Sequence, residues 1–336
     1  MAGQRVFVTG ANGFVGRALV GELAAQGFQV RAGQRSQEWQ PGNPHVDRVA
    51  MPDLAHSSSP DVWQDLLSGC DAVVHLAGLA HSTSEIPVAT YARVNGEAVG
   101  DIAKAASAAG VKRFVFLSSV RAQTGACAEG VLDEMSPPHP TDAYGRAKLA
   151  GEQALSDALS ESSTEWVTLR PVLVYGPGVK GNMGKLMDLA AVPAALPIKS
   201  LRGRRSILSI QNLTAAIHHC LTSPNVVSQT FLIADLAPMD VGEIVTALRF
   251  GLKRKPSLFS VPTLPLKLAA SLVGKGAAWQ RLNGDLVVST EAIRETGFKP
   301  VIGSNRALAD MAFAENIRRG DKTSWDKFKR LLVRPA

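Results

Sequence analysis

The segment VFVTGANGFVG, close to the amino terminus, constrains the fold of this chain more than any other feature. Arg5 to Thr9 is a short run of mainly β-branched and aromatic residues, as in a buried strand, and Gly10 interrupts it. Gly13 and Gly16 follow at three-residue spacing, and Gly16 lies inside the helix-forming segment Phe14 to Ala25. The pattern therefore predicts a strand, a tight turn and a helix that starts directly after the turn.

Glycines at these places suit a dinucleotide. Gly10 permits a sharp exit from the strand, Gly13 lets the backbone approach a pyrophosphate, and Gly16 lets the helix pack closely against the sheet. The free N–H groups and the positive end of the helix then face the phosphates. A plain glycine-rich turn contains the same residues, but the position between a strand and a helix favours a dinucleotide site. The residues predicted to form it are Gly10, Asn12, Gly13, Phe14, Val15 and Gly16.

The composition indicates a globular protein without a nucleic-acid partner. Hydrophobic residues make up 46% of the 336 residues and charged residues 19%, which is ordinary for a soluble protein. The formal net charge is +7, but apart from a tail between positions 318 and 334 the basic residues are scattered and form no stripe with interleaved aromatic residues. The positive charge fits an anionic small molecule better than nucleic acid.

Cysteine usage and the start of the chain predict a reducing, cytoplasmic location. Cys70, Cys127 and Cys220 are widely spaced and form no CxxC pair, so we expect neither a disulfide framework nor a metal site. The first strand begins within a few residues of Met1, which leaves no room for a signal peptide. Because no apolar stretch is long enough to span a bilayer, we expect no integral membrane segment.

Strands and helices alternate along the first half of the chain. Regular alternation of this kind predicts an α/β fold with a Rossmann-like, doubly wound parallel sheet. Ligands of such folds lie at the carboxyl ends of the strands, so residues at those ends are candidate site residues. After the first helix, the predicted strands are Phe28–Ala32, Val46–Met51, Asp71–Leu76 and Lys112–Ser118, and the predicted long helices are Tyr91–Ala109 and Asp142–Ser160.

The end of the second predicted strand bears on the choice of cofactor. A carboxylate there binds the ribose hydroxyls of NAD and repels the 2'-phosphate of NADP, and this chain has Gly33, Gln34 and Arg35 instead. Arg35, or alternatively Arg31, is suited to contact a 2'-phosphate, unless Arg35 is only a solvated loop charge. The sequence thus favours NADP(H) over NAD(H).

Two further strand ends supply cofactor candidates. Asp53 follows the third strand, next to Leu54, and is placed to accept a hydrogen bond from an adenine amino group, with a helix cap as the alternative role. We expect His75, in the fourth strand, to be structural. The fourth strand ends in residues that let a ribose and phosphates lie against the backbone, Leu76, Ala77 and Gly78.

A tyrosine and a lysine four residues apart open the second long helix. Tyr144 and Lys148 share one helical face. A neighbouring ammonium stabilises a phenolate and so lowers the pKa of the phenol from its usual value of about 10. Such a pair is common on ordinary helices. Here it follows a predicted dinucleotide site and a strand that ends in Ser118 and Ser119, and in that context it predicts an acid-base site.

Several motifs in one order resemble the extended short-chain dehydrogenase/reductase family, in particular its nucleotide-sugar epimerase and reductase branch. The motifs are TGANGFVG, PDL, HLAG, VFLSSV, YGRAK and LRPVLVYGPG. The resemblance implies a cofactor domain of residues 1–170 and about 213–234, and a smaller interleaved substrate domain of residues 171–212 and 235–336. It also implies a homodimer that pairs through the two long helices.

The resemblance assigns roles to the residues of the acid-base site. Tyr144 is implied to be the general acid/base at the reacting oxygen, and Lys148 to bind the nicotinamide ribose and lower the pKa of Tyr144. Ser119 is implied to hydrogen-bond the reacting carbonyl or hydroxyl. Ser118 is expected to be structural.

The same resemblance completes the cofactor and substrate sets. Asn95, for which a helix cap is the alternative, and Pro171 are added to the cofactor residues. A UDP-linked sugar is the implied substrate, and Arg205 suits its diphosphate through a charge-assisted fork. Besides Ser119 and Tyr144, the residues implied to contact the sugar nucleotide are Asn182, Leu196, Arg205, Arg281 and Asp285.

Departures from the family pattern select among reactions. Related dehydratases carry an Asp-Glu pair directly after the catalytic hydroxyl residue, where this chain has Val120 and Arg121, so dehydration is disfavoured. Epimerases that retain NAD+ commonly carry a basic residue after HxAG and an acid at the second strand end, where this chain has Ala80 and Gln34-Arg35.

We therefore expect reduction of a 4-keto UDP-hexose, 6-deoxygenated or N-acetylated, in the synthesis of surface polysaccharide precursors. One alternative is 4-epimerisation of UDP-glucose or UDP-N-acetylglucosamine with NAD+. Another is a cofactor-sensing protein of the same fold that performs no redox chemistry. Reduction of a steroid or flavonoid ketone is a further alternative, against which the implied diphosphate site argues.

Overall fold

A computed structural model of the protein describes residues 3–35, 39–40, 42–56, 59–80, 86–262 and 283–318. The strands in these ranges are β1 (Arg5–Thr9), β2 (Gln29–Gln34), β3 (Val46–Ala50), β4 (Ala72–His75), β5 (Arg113–Leu117), β6 (Val131–Leu132), β7 (Glu165–Pro171), β8 (Leu173–Tyr175), β9 (Ile207–Ser209), β10 (Gln229–Ile233) and β11 (Val287–Val288). The helices are α1 (Phe14–Ala25), α2 (Pro60–Leu67), α3 (Val88–Tyr91), α4 (Ala98–Ala108), α5 (Ala143–Leu159), α6 (Gly181–Ala191), α7 (Ile210–Thr222), α8 (Val241–Gly251), α9 (Glu291–Glu295) and α10 (Ser304–Arg318).

Seven of the described strands form one sheet, in the order β10-β7-β5-β4-β1-β2-β3. Every pairing within it is parallel, and β1 lies between β2 and β4. α1 packs with α7, and α4 packs with α2 and α5, which gives the helical layers that flank the sheet. The result is a doubly wound parallel sheet, which confirms the predicted α/β fold. The carboxyl ends of β1, β4 and β5 lie side by side at one edge, where Thr9 pairs with His75 and His75 pairs with Phe116.

β2 is longer than its sequence pattern predicts. The predicted strand ended at Ala32, before Gly33 and Gln34, which are poor strand formers, and this boundary is wrong. Gly33 pairs with Thr9 of β1, and Gln34 pairs with β3, so both neighbouring strands hold the extra residues in the sheet. The side chain of Gln34 is consequently only 1% exposed.

The long helix predicted at Tyr91–Ala109 is divided in the structure. α3 is followed by a π-helical turn, Ala92–Glu97, and then by α4. The turn contains Asn95, whose amide nitrogen donates to the carbonyl oxygen of Leu79 at 2.9 Å and whose amide oxygen accepts from the N–H of Leu79 at 2.8 Å. The alanine-rich composition predicts a helix here. It does not predict the π-helical turn, because the hydrogen bonds that accompany the turn join Asn95 to Leu79, which is far away in the sequence.

The described residues divide into two compact units. The first contains the sheet and comprises Met1–Val172, Ile210–Ala234 and Val288–Val301, and the second comprises Leu173–Ser209, Asp235–Val287 and Ile302–Ala336. The core of the first unit includes Phe7, Ile102, Phe114, Phe116 and Leu155. The core of the second includes Met183, Met187, Leu248 and Leu308. That the first unit binds the cofactor and the second the substrate stays a prediction.

α8 and α10 of the second unit approach closely because Gly251 faces a backbone. A Cβ added at Gly251 would lie 2.1 Å from the carbonyl oxygen of Ala309.

None of the helices in the described part of the chain is long and apolar enough to cross a membrane.

Candidate active site

The turn after β1 has the close backbone contacts that its glycines predict. Gly10 has φ of +66°, in the left-handed region that favours glycine, and its carbonyl oxygen accepts from the N–H of Gly13 at 2.9 Å. A Cβ added at Gly10 would lie 2.9 Å from the backbone nitrogen of Ala77. α1 begins after Gly13 without a side-chain cap, so its first N–H groups are available to phosphates. These residues fit a dinucleotide pyrophosphate. Asn12, Phe14, Val15 and Gly16 lie on the same turn and the start of α1.

Gly16→Ala is expected to weaken dinucleotide binding at least about tenfold, because a displacement of roughly 1 Å in the residues that hold a ligand has an effect of that size or larger. A Cβ added at Gly16 would lie 2.2 Å from the carbonyl oxygen of Gly10, so the turn and α1 must move apart. Titration of the protein fluorescence with NADH and NADPH measures the affinity.

The matched control is Gly21→Ala, in the same helix. A Cβ added at Gly21 meets no atom within 4 Å, so this change is expected to keep the affinity and to raise helix stability by about 1 kcal/mol. Equal affinities for the two variants would contradict the placement of the pyrophosphate at this turn.

Thr9 ties the ends of β1 and β4 together. Its hydroxyl oxygen accepts from the N–H groups of Leu76 and Ala77, each at 3.0 Å, and lies 2.8 Å from Nδ1 of His75. His75 is fully buried, its ring centroid lies 5.7 Å from that of Phe116, and burial lowers its pKa to about 3. The backbone of Leu76 and Ala77 is thereby fixed beside the glycine turn, where the cofactor contacts are predicted.

Asn95 shapes the loop after β4. Both ends of its amide are used by Leu79, so its side chain acts on the predicted cofactor surface through that loop. A Cβ added at Gly78 would lie 2.7 Å from Oδ1 of Asn95, so only glycine leaves the Asn95 side chain in place. Pro171, the remaining cofactor candidate, is the buried last residue of β7.

Gln34 occupies the end of β2, where a carboxylate would select NAD. Its Nε2 donates to the carbonyl oxygen of Trp39 at 3.3 Å, whereas its Oε1 is buried and has no hydrogen-bond partner among the described residues. Arg31, the alternative phosphate ligand, is engaged elsewhere, since its guanidinium donates to the carbonyl oxygens of Leu66 and Ser68 at 2.8 and 3.0 Å.

Arg35 and Asp53 lie together at the ends of β2 and β3. Nη1 of Arg35 is 3.7 Å from Oδ1 of Asp53, and both side chains are exposed. Asp53 also accepts from the N–H of Ala55 at 3.1 Å within a local turn, and the next helix begins only at Pro60, so the helix cap given as its alternative role is wrong. Leu54 is buried beside it.

Ser119 and Tyr144 meet at the carboxyl end of β5. Oγ of Ser119 accepts from the N–H of Arg121 at 3.1 Å, at the start of the short 3-10 turn Val120–Ala122, and Ser119 is hydrogen-bonded to Tyr144. Tyr144 lies in the first turn of α5, which is capped by Asp142. The sheet and the helix thus bring together two predicted catalytic residues that are far apart in the sequence.

Lys148 lies one turn further along α5. Its ammonium donates to the carbonyl oxygen of Leu117 at 3.0 Å and lies 4.8 Å from the ring centroid of Phe116. Burial lowers the pKa of Lys148 to about 8, and the carboxylate of Glu152 opposes that shift.

The predicted lowering of the Tyr144 pKa by Lys148 is wrong for the described structure. Burial raises the pKa of the phenol, and this outweighs the opposite effects of the Ser119 hydrogen bond and the Arg121 cation. The ammonium of Lys148 donates to the carbonyl oxygen of Leu117, and Lys148 is not among the groups that shift the pKa of this phenol. Four-residue spacing predicts that two side chains share a helical face, but not where each charge points.

A buried charge network behind the site was not predicted. Glu152, four residues after Lys148, forms an ion pair with Arg170 of β7, with Nη2 to Oε2 at 2.6 Å and Nε to Oε1 at 3.0 Å. The Ser118 hydroxyl donates to the same carboxylate, and Nη1 of Arg170 donates to Oε1 of Gln123 at 3.1 Å. The sequence indicates this network only through the spacing of Glu152, which lies one helical turn after Lys148. Ser118 therefore joins this network, as the structural role expected for it requires.

In the second unit, Arg205 and the residues around Asp285 are brought together. The N–H of Arg205 donates to the carbonyl oxygen of Met239 at 2.9 Å, and Arg205 also forms a bridge with Leu286. Oδ1 of Asp285 accepts from the N–H of Arg204 at 2.7 Å. The predicted diphosphate residue thus lies on a short stretch of paired backbone next to Asp285.

The other substrate candidates lie elsewhere in the second unit. Asn182 is exposed in the first turn of α6. Leu196 is buried in the core, and its backbone N–H and carbonyl are bonded to Ser257 and Phe259. Arg281 lies outside the described residues. The roles of these residues in binding a sugar nucleotide remain predictions.

A doubly wound parallel sheet, a glycine turn after its first strand and a Ser-Tyr-Lys set at the same sheet edge define an extended short-chain dehydrogenase/reductase. Residues 6–234 match the NAD dependent epimerase/dehydratase family. The chain belongs to that family, and it is an NAD(H)-dependent enzyme.

Known proteins of this kind resemble the chain along most of its length. The UDP-glucose 4-epimerase of Vibrio cholerae is 32% identical over 304 residues, which cover 88% of this chain and 91% of that protein. MoeE5, solved in complex with UDP-glucuronic acid and NAD, is 25% identical with a TM-score of 0.72, and the match covers 94% of this chain and 99% of that one. The UDP-N-acetylglucosamine 4-epimerase from Bacillus cereus has a TM-score of 0.73 at 18% identity over 93% of this chain and 99% of its own, which shows the shared fold.

Proposed function

We propose that the protein performs oxidation-reduction at C4 of a UDP-linked hexose, and that it reduces a 4-keto sugar nucleotide. The observation that carries this proposal is the grouping of Ser119, Tyr144 and Lys148 at the sheet edge that also holds the glycine turn. Membership of the family, and the 32% identity to a UDP-glucose 4-epimerase, support a nucleotide-sugar substrate.

Each of the three residues has a separate task. The hydroxyl of Ser119 holds the reacting oxygen of the sugar, and the phenol of Tyr144 gives that oxygen a proton during reduction or removes one during oxidation. Lys148 donates to Leu117 and keeps further N–H donors for the nicotinamide ribose. The nicotinamide, when bound, supplies or accepts the hydride.

In the second unit we assign the diphosphate of the substrate to Arg205, whose planar guanidinium suits two phosphate oxygens. Asn182, Leu196, Arg281 and Asp285 complete the proposed set. A homodimer paired through the α4 and α5 region, and a location in the cytoplasm, belong to the same proposal.

For the cofactor we propose a preference for NADP(H) over NAD(H). Gln34 brings no negative charge to the end of β2, so nothing there repels a 2'-phosphate. Arg35 is exposed next to it, and its ion pair with Asp53 spans 3.7 Å. An exposed pair of this kind is weak, so the guanidinium is available to a phosphate.

Arg35→Ala is expected to raise the KM for NADPH about tenfold and to leave the KM for NADH unchanged, because a charge-assisted hydrogen bond to the phosphate is lost. Steady-state kinetics with both cofactors measure the two values. Arg31→Ala is the matched control, since its guanidinium is bound to the carbonyls of Leu66 and Ser68, and the ratio of the two KM values is expected to stay the same. Equal losses with both cofactors in Arg35→Ala would refute the assignment.

A 4-epimerase is the second candidate, and the Vibrio cholerae relative favours it. Mass spectrometry of the dinucleotide that co-purifies, followed by its exchange rate, separates the two. NADP(H) that exchanges freely supports reduction. Trapped NAD(H), with interconversion of UDP-glucose and UDP-galactose without added cofactor, would overturn reduction in favour of epimerisation.

A further inference from the structure

Arg121 links the turn after β5, which contains Ser119, to the helix that contains Tyr144. Its N–H donates to Oγ of Ser119 at 3.1 Å, and its guanidinium Nη2 donates to Oδ2 of Asp142. Both charged side chains are largely withdrawn from solvent, with 19% of Arg121 and 28% of Asp142 exposed. The contact is therefore less screened than an ion pair on the protein surface.

Asp142 uses its two oxygens for different elements. Oδ1 accepts from the N–H of Gly145 at 2.8 Å and starts α5, while Oδ2 faces Arg121. Gly145 also packs on the backbone of Arg121, because a Cβ added there would lie 2.2 Å from the carbonyl oxygen of Arg121. Tyr144 lies between Asp142 and Gly145, so the ion pair and this backbone contact fix its place relative to Ser119.

We propose that the Arg121–Asp142 ion pair positions Tyr144 against Ser119 and balances the charge around the phenol, which makes Arg121 a positioning residue of the reaction. This rests on the proposed function in one respect, that Tyr144 is the group that exchanges the proton.

The groups that face Tyr144 come from three elements. The turn after β5 contributes Ser119 and Arg121, the α3 segment contributes the ring of Tyr91 with centroids 6.1 Å apart, and the cap of α5 contributes Asp142.

The two charges of the pair act on Tyr144 in opposite directions. The carboxylate of Asp142 raises the pKa of the phenol, and the cation of Arg121 lowers it. Lys148 is directed to a carbonyl and leaves that balance to the pair. If only one of the two charges is removed, the remaining charge shifts the pKa of Tyr144 without being opposed by its partner.

The test is a set of four variants: Arg121→Gln, Asp142→Asn, the double variant, and Arg121→Lys. Asparagine caps helices as well as aspartate does, so Asp142→Asn removes the charge and keeps the start of α5. Titration of the tyrosinate ultraviolet absorbance reads the phenol directly. The chain has three tyrosines, so the absorbance titration of Tyr144→Phe is subtracted from that of each protein, which leaves the signal of Tyr144 alone.

The expected shifts have opposite signs. Arg121→Gln moves the Tyr144 titration to higher pH, Asp142→Asn moves it to lower pH, and both the double variant and Arg121→Lys return it toward the wild type. The limb of the kcat/KM profile that reports Tyr144 follows the same order. Shifts of the same sign in both single variants, or no shift in either, overturn the proposal.

The absorbance titration needs no turnover, so it also separates this proposal from the proposed function. Opposite shifts of absorbance in the single variants support the ion-pair role even if Tyr144→Phe remains fully active. That second result would overturn the role of Tyr144 as the acid/base, and not the coupling of the pair to its phenol.

Discussion

Tyr144→Phe is expected to lower kcat on a nucleotide-sugar substrate about a thousandfold, which is the usual size of a general acid-base contribution. Phenylalanine keeps the ring beside Tyr91 and removes the oxygen that is hydrogen-bonded to Ser119 and that we propose exchanges the proton. Because the ring remains, the KM is expected to change little. Absorbance of the reduced nicotinamide, followed across a panel of UDP-hexoses and their 4-keto derivatives, measures both parameters.

Tyr175→Phe is the matched control, because it removes the same atom from a different place. The hydroxyl of Tyr175 donates to Oδ2 of Asp235 at 2.7 Å in the second unit, where both residues are buried. Its loss is expected to lower the free energy of unfolding by about 2 kcal/mol and to leave kcat unchanged. If wild type and Tyr144→Phe turned over the whole panel at the same rate, the assignment of Tyr144 as the acid/base would fail.

Arg170→Met is expected to lower the free energy of unfolding by about 3–5 kcal/mol, because it leaves a buried carboxylate without its partner. Glu152 and Arg170 are each less than a tenth exposed and share several hydrogen bonds. Urea unfolding followed by circular dichroism measures the loss. Replacing both residues together, Glu152→Gln with Arg170→Met, is expected to cost less than Arg170→Met alone, since no charge is then left buried.

Arg306→Met provides the comparison at the surface. Arg306 pairs with Asp310 one helical turn away at 2.9 Å, but the side chain of Arg306 is 77% exposed. Its replacement is expected to change the free energy of unfolding by no more than about 0.5 kcal/mol. If Arg170→Met and Arg306→Met lowered the free energy of unfolding by similar amounts, the buried ion pair would stabilise the fold no more than the exposed one.

Local patterns were sufficient to predict the glycine turn after β1. The positive φ of Gly10 and the close contacts at Gly13 and Gly16 arise within a few residues, so the spacing of these glycines between a strand and a helix is visible in the sequence. The parallel sheet was predictable for a similar reason, because regular alternation of strands and helices leaves few topologies. The place of Ser119 beside Tyr144 follows from that topology, since both lie at the carboxyl edge.

Contacts between distant segments account for what was missed. The end of β2 is set by pairing with β1 and β3, which keeps Gly33 and Gln34 in the sheet against their own propensities. The π-helical turn accompanies the clamp between Asn95 and Leu79. The direction of the Lys148 ammonium depends on the carbonyl of Leu117 in the neighbouring strand. None of these partners is close enough in sequence to leave a periodic signal.

The hydroxyl of Thr9 decides the tautomer of His75. The oxygen of Thr9 uses both lone pairs to accept from Leu76 and Ala77, so only its hydrogen is left for Nδ1 of His75. The imidazole must then carry its own proton on Nε2, and with a pKa of about 3 it stays neutral throughout the physiological range. His75 is therefore a fixed, uncharged residue beside the end of β1, and other groups set the pH dependence of this enzyme.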